Sequence, residues 1–242
     1  MMKVSVIIPA FNEEKLIAAT LRAIQAATQS FSQRGWTTEM IVCDNNSTDA
    51  TAALARAAGA QVVFEPVNQI ARARNTGAAA ATGDWLIFVD ADSYPTPELF
   101  AEVAQQMEGG RCLAGGCTAR MDERHWWADL GTGAWNILSR VRKWVAGSFS
   151  FCERETFRAV GGFSLELYAS EEIDFSRKLN KLARKQGKKK VIQHRHPLLT
   201  SGRKARLYSP GEWLVFLRKV VLSPKKTCAS REACSPWYDG RR

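Results

Sequence analysis

Asp84-Trp-Leu-Ile-Phe-Val-Asp-Ala-Asp92 is the stretch that decides the fold, because an apolar run leads directly into two carboxylates. The five consecutive apolar residues at 85–89 are typical of a strand buried on both faces of a sheet. In open α/β sheets, the carboxyl ends of the strands border the ligand crevice. Since residues i and i+2 of an extended chain point to the same side, Asp90 and Asp92 can share one divalent cation. Taken alone, the pair is equally consistent with two solvated acids that open a turn at Pro95.

Strands alternate with helices on the N-terminal side of this stretch. Apolar runs predict strands at 4–8, 40–44 and 61–64, and each run is followed by a helical pattern. We predict that Asn12 caps the first helix, whose apolar face carries Ile17, Leu21 and Ile24. This alternation predicts βαβ units and an α/β fold with a mostly parallel central sheet.

The alternation is less regular after Asp92. The patterns there predict strands at 111–119, 148–152 and 188–194, helices at 97–107, 153–160, 171–182 and 210–222, and an irregular segment at 198–204. Ser170 is predicted to cap the helix whose first turn holds Glu171, Glu172 and Asp174.

Length and composition exclude several classes of protein. The 242 residues are 45% hydrophobic and 24% charged, which fits one large domain or a domain with a small appendage. No run approaches the roughly 18–20 apolar residues of a membrane span, and the N-terminus has no signal-peptide layout. The six cysteines form no Cys-X-X-Cys pair, so we expect reduced thiols and a cytoplasmic protein.

Charge is distributed unevenly along the chain. Residues 1–174 contain 15 Lys/Arg and 21 Asp/Glu, a net charge of −6, whereas residues 175–242 contain 19 Lys/Arg and three acids, a net charge of +16. This asymmetry favours a polyanionic partner, which could be the phosphates of a small molecule, an anionic membrane surface or a nucleic acid. Charge alone does not choose among them.

Six short motifs occur in a characteristic order between about residues 3 and 182. They are Val4-Ser-Val-Ile-Ile-Pro-Ala-Phe-Asn-Glu13, Val42-Cys-Asp-Asn-Asn-Ser-Thr-Asp49, Ala73-Arg-Asn-Thr-Gly77, Val89-Asp-Ala-Asp92, Val160-Gly-Gly-Phe163 and Glu171-Glu-Ile-Asp174. Their order and spacing resemble those of family 2 glycosyltransferases, in particular small bacterial members. The resemblance implies one domain of GT-A fold over 1–242, with a Rossmann-like sheet flanked by helices and a smaller acceptor-side region. The nucleotide-sugar-binding half would be 1–95, the acceptor and catalytic half 96–205, and a basic amphipathic extension 206–242.

The resemblance implies a donor site at the ends of the first strands. The loop after the first strand would hold the base and ribose through Pro9, Ala10, Phe11 and Glu13, and Asp44 resembles the acid that accepts the N3 proton of uracil. Arg74 would approach the diphosphate or the base. Arg203 ends the run Thr200-Ser-Gly-Arg203, whose small polar residues and glycine are suited to wrapping the diphosphate. The alternatives are helix capping for Glu13, an Asx turn for Asp44 and a solvated surface charge for Arg203.

The resemblance also implies a metal site. Asp90-Ala91-Asp92 matches the family's Asp-X-Asp motif, which holds Mn²⁺ or Mg²⁺ on the diphosphate. Many relatives recruit a downstream histidine as a third ligand, and the candidates here are His194 and His196, although a lone histidine is more often structural.

Glu172 occupies the place of the general base in inverting relatives, which have Asp there, and so the resemblance implies inversion at the anomeric carbon. Glu171 and Asp174 would then be groups that orient the site or pack beside the base. Three alternatives remain: the acids only favour the start of the helix, Asp174 is the base, or the enzyme retains configuration and uses no base here.

The segment 125–145 is rich in tryptophan and in basic residues. The residues concerned are Trp126, Trp127, Trp135, Trp144, Arg140, Arg142 and Lys143. On a helix they could line an acceptor cleft, lie in a membrane interface, or be core tryptophans with snorkelling cations.

The function that follows is transfer of a sugar from a UDP- or GDP-sugar to a hydroxyl of a glycan, a lipid-linked acceptor or a small molecule. We expect a cytoplasmic enzyme, with peripheral contact to the anionic inner membrane face as an option and no nucleic-acid partner. One alternative is a nucleotidyltransferase, but 9–13 lacks the Gly-rich basic loop that those enzymes use. The other is a nucleic-acid-binding or scaffold protein that uses the basic tail, although no nucleic-acid module is present.

Overall fold

A twisted sheet and its covering helices account for most of the chain in the computed structural model, which describes residues 1–123 and 125–238. Within these residues, strands β1 to β8 are Lys3–Ala10, Thr37–Asp44, Gln61–Phe64, Trp85–Val89, Ser93–Tyr94, Cys112–Met121, Phe149–Glu153 and Lys189–Thr200. Helices α1 to α11 are Ile17–Ser32, Thr51–Ala57, Ile70–Ala80, Pro97–Glu108, Trp126–Arg142, Arg154–Ala159, Glu171–Gln186, Arg203–Leu207, Pro210–Leu222, Pro224–Cys228 and Ser235–Tyr238. The end of the predicted C-terminal extension, 239–242, lies outside the described residues.

The strands form one sheet in the order β3-β2-β1-β4-β7-β6-β8-β5. β1 pairs in parallel with β2 and β4, and β2 pairs in parallel with β3, because helices connect these strands in the chain. The direction reverses at β7, which is antiparallel to both β4 and β6, while β6 and β8 are again parallel. The predicted α/β fold with a mostly parallel sheet is therefore confirmed.

Strand β4 lies at the centre of this sheet and is buried on both faces. Trp85, Ile87 and Val89 pack into one hydrophobic cluster, and Leu86 and Phe88 pack into the cluster on the opposite face. The strand is therefore held between two layers of helices, as its apolar sequence predicts. The chain then turns, with the Ser93 amide donating to the Asp90 carbonyl, so the two aspartates lie in a turn at the carboxyl end of the sheet.

Two predicted helix caps are wrong. Asn12 has a φ of 53°, and its side-chain Oδ1 accepts from the Thr48 amide, so it ties two loops together while α1 begins only at Ile17. Ser170 also has a positive φ, 63°, and its side chain makes no capping hydrogen bond. In both cases the side chain forms a hydrogen bond with a residue distant in sequence, Thr48 for Asn12 and Cys228 for Ser170, and so does not cap the helix.

Two elements near the C-terminus also differ from the sequence prediction. β8 continues to Thr200 because Thr200 and Leu199 pair with both β6 and β5. The residues that follow Gly202 form the short helix α8 where an irregular segment was predicted. Of the helices in the described residues, none is both long and apolar enough to cross a membrane.

Gly115 in β6 marks a close approach of three strands. A Cβ atom there would lie 2.5 Å from Phe151 Cζ and 2.7 Å from the Val191 carbonyl oxygen. We expect Gly115→Ala to lower the free energy of unfolding by about 1–3 kcal/mol, because the backbone oxygen cannot move away easily. Gly133→Ala is the matched control, since a Cβ there meets nothing within 4 Å and Ala is the better helix former. Urea denaturation of both variants tests this, and equal stability of the two would contradict it.

Candidate active site

A cleft runs along the carboxyl ends of the strands. Its first part is a cavity whose lining includes Pro9, Ala10, Phe11, Glu13, Asn45, Asp90, Asp92, Arg203, Lys204, Trp237 and Tyr238. Its second part is a cavity of about 440 Å³, and it shares Ile70, Asp90, Asp92, Lys204 and Trp237 with the first. The two carboxylates of the opening stretch therefore lie where both parts meet.

Arg74 lies directly under this meeting point. Its guanidinium is only 1% exposed and donates from Nη1 to Glu171 Oε1 at 2.5 Å and from Nη2 to Asp90 Oδ1 at 2.9 Å. Nη2 also donates to the Gly147 carbonyl oxygen at 2.8 Å, and the group lies 5.2 Å from the centre of the Phe163 ring. One buried cation thus joins α3, the end of β4, the turn before β7 and the start of α7.

The predicted contact of Arg74 with a diphosphate or base stays a prediction, because its charge is already paired within the protein. Burial by itself lowers the pKa of Arg74, but the charges of Asp90 and Glu171 outweigh it and raise the pKa above its ordinary value. The guanidinium is held by protein groups and its side chain is 1% exposed, at the lining of the larger cavity. Arg74 therefore positions the carboxylates of the site.

Glu171 and Glu172 are neighbours in sequence but lie in different environments. Glu171 is buried and paired with Arg74, whereas the half-buried Glu172 lines the larger cavity beside Gly147. Burial, and next the charge of Glu171, raise the pKa of Glu172 to about 8. Asp174, one of the alternative bases, pairs with Lys178 at 2.9 Å and is absent from the described lining of both cavities.

Arg203 approaches the donor side of the cleft from α8. It forks onto Glu13, with Nη1 donating to Oε2 at 2.9 Å and Nη2 to Oε1 at 2.8 Å, and Nη2 lies 3.5 Å from Asp92 Oδ2. Arg203 is thus a partly buried cation between the first-strand loop and the Asp90–Asp92 turn. The two alternatives, helix capping by the Glu13 side chain and a solvated Arg203, therefore do not fit, because the two side chains pair with each other.

Asp44 ends β2, and its Oδ1 accepts from the Ser47 amide, three residues further on, at 3.0 Å, whereas an Asx turn bonds the amide two residues on. Its neighbour Asn45 lines the cleft and also ties the strand end to the next loop, because Asn45 Oδ1 accepts from the Gln69 amide. Asp44 itself is buried and is not among the described lining residues.

The two histidines lie away from the carboxylates. The pairing of β6 with β8 shifts in register between Gln193 and Leu198, the part of β8 that contains both histidines. His196 Nε2 lies 3.7 Å from Glu102 Oε1 of α4, and His194 is exposed. Within the described part of the chain, neither lines the cleft.

The oxygen atoms of Asp90 and Asp92 fit a hard divalent cation. Among residues 1–123 and 125–238, no cluster of three His, Cys, Asp or Glu side chains could enclose a metal. Mg²⁺ is commonly held by one or two carboxylates together with substrate phosphates and water, so a pair at the edge of a cleft is sufficient. The donor set therefore suits an ion that binds together with a phosphate ligand.

Two aromatic cleft residues near the C-terminus were not predicted as site residues. Trp237 and Tyr238 belong to the C-terminal region, which folds back over the donor side. The Ile70 amide at the start of α3 donates to the Tyr238 hydroxyl at 3.3 Å, so Tyr238 is attached to the site. The only signal was aromatic content in a basic tail, which does not indicate where the tail docks.

Comparison with known proteins identifies the family. The profile described as Glycosyl transferase family 2 matches residues 5–162, which is more than half of the chain. The chain belongs to glycosyltransferase family 2. This confirms the family and the enzyme class that the motifs predict, over the nucleotidyltransferase and nucleic-acid-binding alternatives.

Curated relatives are also named as glycosyltransferases. An uncharacterised glycosyltransferase of Mycobacterium bovis is 34% identical over 143 residues, which are 57% of this chain and 61% of that protein. This family 2 chain thus spans less than two thirds of the length of the first relatives it matches.

Solved structures of glycosyltransferases share the fold. The mannosyltransferase PcManGT from Pyrobaculum calidifontis, in complex with GDP-Man and Mn²⁺, matches with a TM-score of 0.65 and 21% identity over 90% of this chain and 64% of that one. Glucosyl-3-phosphoglycerate synthase from Mycobacterium tuberculosis, in complex with Mn²⁺, UDP and glucosyl-3-phosphoglycerate, matches with a TM-score of 0.62 and 22% identity over 94% and 80%. The predicted GT-A fold is confirmed.

The buried position of Arg74 predicts a large loss of stability when it is removed. Arg74→Ala leaves Glu171 and Asp90 without their cation in a buried site, so we expect the free energy of unfolding to fall by about 3–5 kcal/mol. The control is Arg158→Ala, because Arg158 forms an exposed pair with Glu155 whose loss costs at most about 1 kcal/mol. Urea denaturation measures both, and an Arg74→Ala variant as stable as the control would contradict the positioning role.

The raised pKa of Glu172 predicts a pH-dependent stability difference. Its ordinary value is 4.5 and its folded value about 8, so between them the unfolded chain ionises Glu172 while the folded chain keeps it protonated. The wild-type protein therefore loses stability relative to Glu172→Gln as pH rises through this window. Thermal melts at about pH 5 and about pH 8 should show the variant gaining on the wild type at the higher pH. A difference that does not change with pH would mean that the carboxyl has an ordinary pKa.

Proposed function

We propose that this protein transfers a sugar from a nucleotide-sugar donor, carrying UDP or GDP, to a hydroxyl group of an acceptor. The single observation that carries the proposal is that Asp90, Asp92 and Glu172 line one cavity. A leaving diphosphate needs a positive charge beside it, and Asp90 and Asp92 can hold a metal ion that supplies this charge. An attacking hydroxyl needs a base, and the carboxylate of Glu172 can serve as one. PcManGT, with a similar fold, is described with GDP-Man and Mn²⁺.

The donor would occupy the first part of the cleft. The base and ribose would lie against 9–13, with Phe11 packing on a ring, and Asp44 would serve the base from the end of β2. Arg203 and Lys204 lie at the same cavity and carry charges that suit a diphosphate. Because Arg203 pairs with Glu13 and approaches Asp92, a bound diphosphate would share a cation that those carboxylates already hold in place.

Mn²⁺ or Mg²⁺ would be held by Asp92 and Asp90. When bound, such an ion supplies Lewis-acid stabilisation of the negative charge on the leaving diphosphate. The chain's own contribution is to hold Asp90 in place, since Arg74 fixes its Oδ1. His194 and His196 are not part of the proposed site.

Glu172 is the proposed general base. Once ionised, a carboxylate with a pKa of about 8 is a stronger base than an ordinary glutamate, which suits it to taking a proton from an acceptor hydroxyl. Since Glu171 is paired with Arg74 and Asp174 with Lys178, Glu172 is the acid of this helix start best placed for the role. Attack assisted by such a base on the face opposite the leaving diphosphate inverts the anomeric configuration.

The residue roles predict a specific pattern of lost activity. Asp92→Ala and Glu172→Gln should each lower kcat by at least about 100-fold, because one removes a metal ligand and the other the base. Asp174→Asn is the matched control and should keep most of the activity. Turnover is measured as nucleoside diphosphate release, with circular dichroism to verify folding. Loss of activity in Asp174→Asn with retention in Glu172→Gln would instead make Asp174 the base.

Two further measurements define the donor and the stereochemistry. Thermal shifts with UDP- and GDP-sugars, with and without Mn²⁺ or Mg²⁺, identify the ligand because binding to the folded state raises its stability. Proton NMR of the first product formed should show the inverted anomer. Retention of configuration would contradict the role of Glu172 as a base in direct displacement.

A further inference from the structure

Helix α5 carries an apolar stripe that nothing in the described chain covers. Trp126, Leu130, Ile137 and Val141 are each between 67% and 79% exposed. Their spacing of 4, 11 and 15 residues from Trp126 places them on one face of the helix. Since α5 has 17 residues, this stripe extends for about 25 Å.

Helix α9 has the same character. Leu214, Val221 and Leu222 are between 68% and 78% exposed, and the solvent-facing side also holds the exposed cations Arg218 and Lys219. The side that faces the protein holds aromatic residues, so α9 is apolar both inside and outside. Monomeric soluble proteins rarely expose contiguous apolar patches of this kind without a binding role.

The two helices border the same cavity. α5 contributes Trp127 and Gly131 to the larger part of the cleft, and α9 contributes Trp213 and Leu217. Gly131 and Leu217 are also exposed, so the cavity reaches the surface between the two helices. Glu172 lines this same cavity, which therefore connects the apolar surface with the reacting groups.

The charges around this surface are mostly positive. Exposed cations follow both stripes, with Arg140, Arg142 and Lys143 at the end of α5 and Lys225 and Lys226 on α10. The acids near it include Asp129 of α5, Glu123 just before α5, which pairs with Arg206, and Glu212, which is engaged in the capping box of α9. Residues 175–242 as a whole carry a net charge of +16.

We propose that α5 and α9 dock the protein on an anionic bilayer and that the cavity between them takes a lipid-anchored acceptor. Helices that lie in a membrane interface combine an apolar face with Lys and Arg, because acyl chains and headgroup phosphates are adjacent in a bilayer. Long basic side chains beside the stripes can reach headgroups while the stripes stay buried. The acceptor part of this inference rests on the proposed glycosyl transfer, whereas the docking part does not.

Vesicle sedimentation tests the docking surface. The full chain should sediment with vesicles of phosphatidylglycerol and phosphatidylethanolamine and bind at least tenfold less to phosphatidylcholine alone. The double variant Ile137→Asp, Val221→Asp should lose at least tenfold in affinity for the anionic vesicles. The control is Phe64→Asp, because Phe64 is 58% exposed on β3 at the far edge of the sheet and should bind as the wild type does.

Three outcomes would overturn the docking proposal. The first is that the wild type does not bind anionic vesicles, and the second is that the double variant binds them as well as the wild type does. The third is that the wild type is a dimer that does not bind vesicles, while the double variant is a monomer. Nucleotide-sugar thermal shifts, measured on the same samples, separate the two proposals. A thermal shift with a nucleotide sugar but no vesicle binding would contradict only the docking proposal. Vesicle binding without a thermal shift from any nucleotide sugar would contradict only the proposed function.

Label transfer tests the acceptor class. The radiolabelled nucleotide sugar that gives the largest thermal shift is incubated with the enzyme and membranes of the source organism. We expect label in the chloroform–methanol extract, with an at least tenfold loss in the double variant. Label confined to the aqueous phase, or no transfer to the membranes, would overturn a lipid-anchored acceptor.

Discussion

The buried guanidinium of Arg74 is the constraint on which the rest of the site depends. A cation removed from water must be paired, and Arg74 is paired with Asp90, Glu171 and the Gly147 carbonyl. These partners belong to the end of the central strand, the start of α7 and the turn before β7. Because one rigid group binds all of them, the carboxylates at the strand end and the helix that carries Glu172 are held in a common geometry.

The same arrangement gives two adjacent glutamates different chemistry. Glu171 is buried and paired with Arg74, while the half-buried Glu172 lies beside the negative charge of Glu171 and its pKa rises to about 8. Proteins divide structural and acid–base roles between neighbouring acids by giving them different surroundings. Here the ion pair that organises the site also provides the charge that helps to make its neighbour basic.

The C-terminal third of the chain completes the cleft and changes the surface around it. Arg203 brings a cation to Glu13 and Asp92, and Trp237 and Tyr238 cover the donor side. The same region places α9 opposite α5, with apolar and basic side chains facing solvent. The positive charge of the C-terminal region therefore lies in two places, inside the cleft and on the surface around its opening.

The sequence by itself determined the central strand β4, the alternation of strands and helices and the family, because burial and short motifs leave local patterns. It also placed Asp90, Asp92 and Glu172 as candidates, and they line one cavity. Only the tertiary structure decided the roles of Arg74 and Arg203, the failed caps at Asn12 and Ser170, and the position of the histidines. The reason is that these depend on partners far along the chain, such as Glu13 and Arg203, which are 190 residues apart. Periodicity indicates which residues are buried, but it contains no information about which distant group a buried charge will meet.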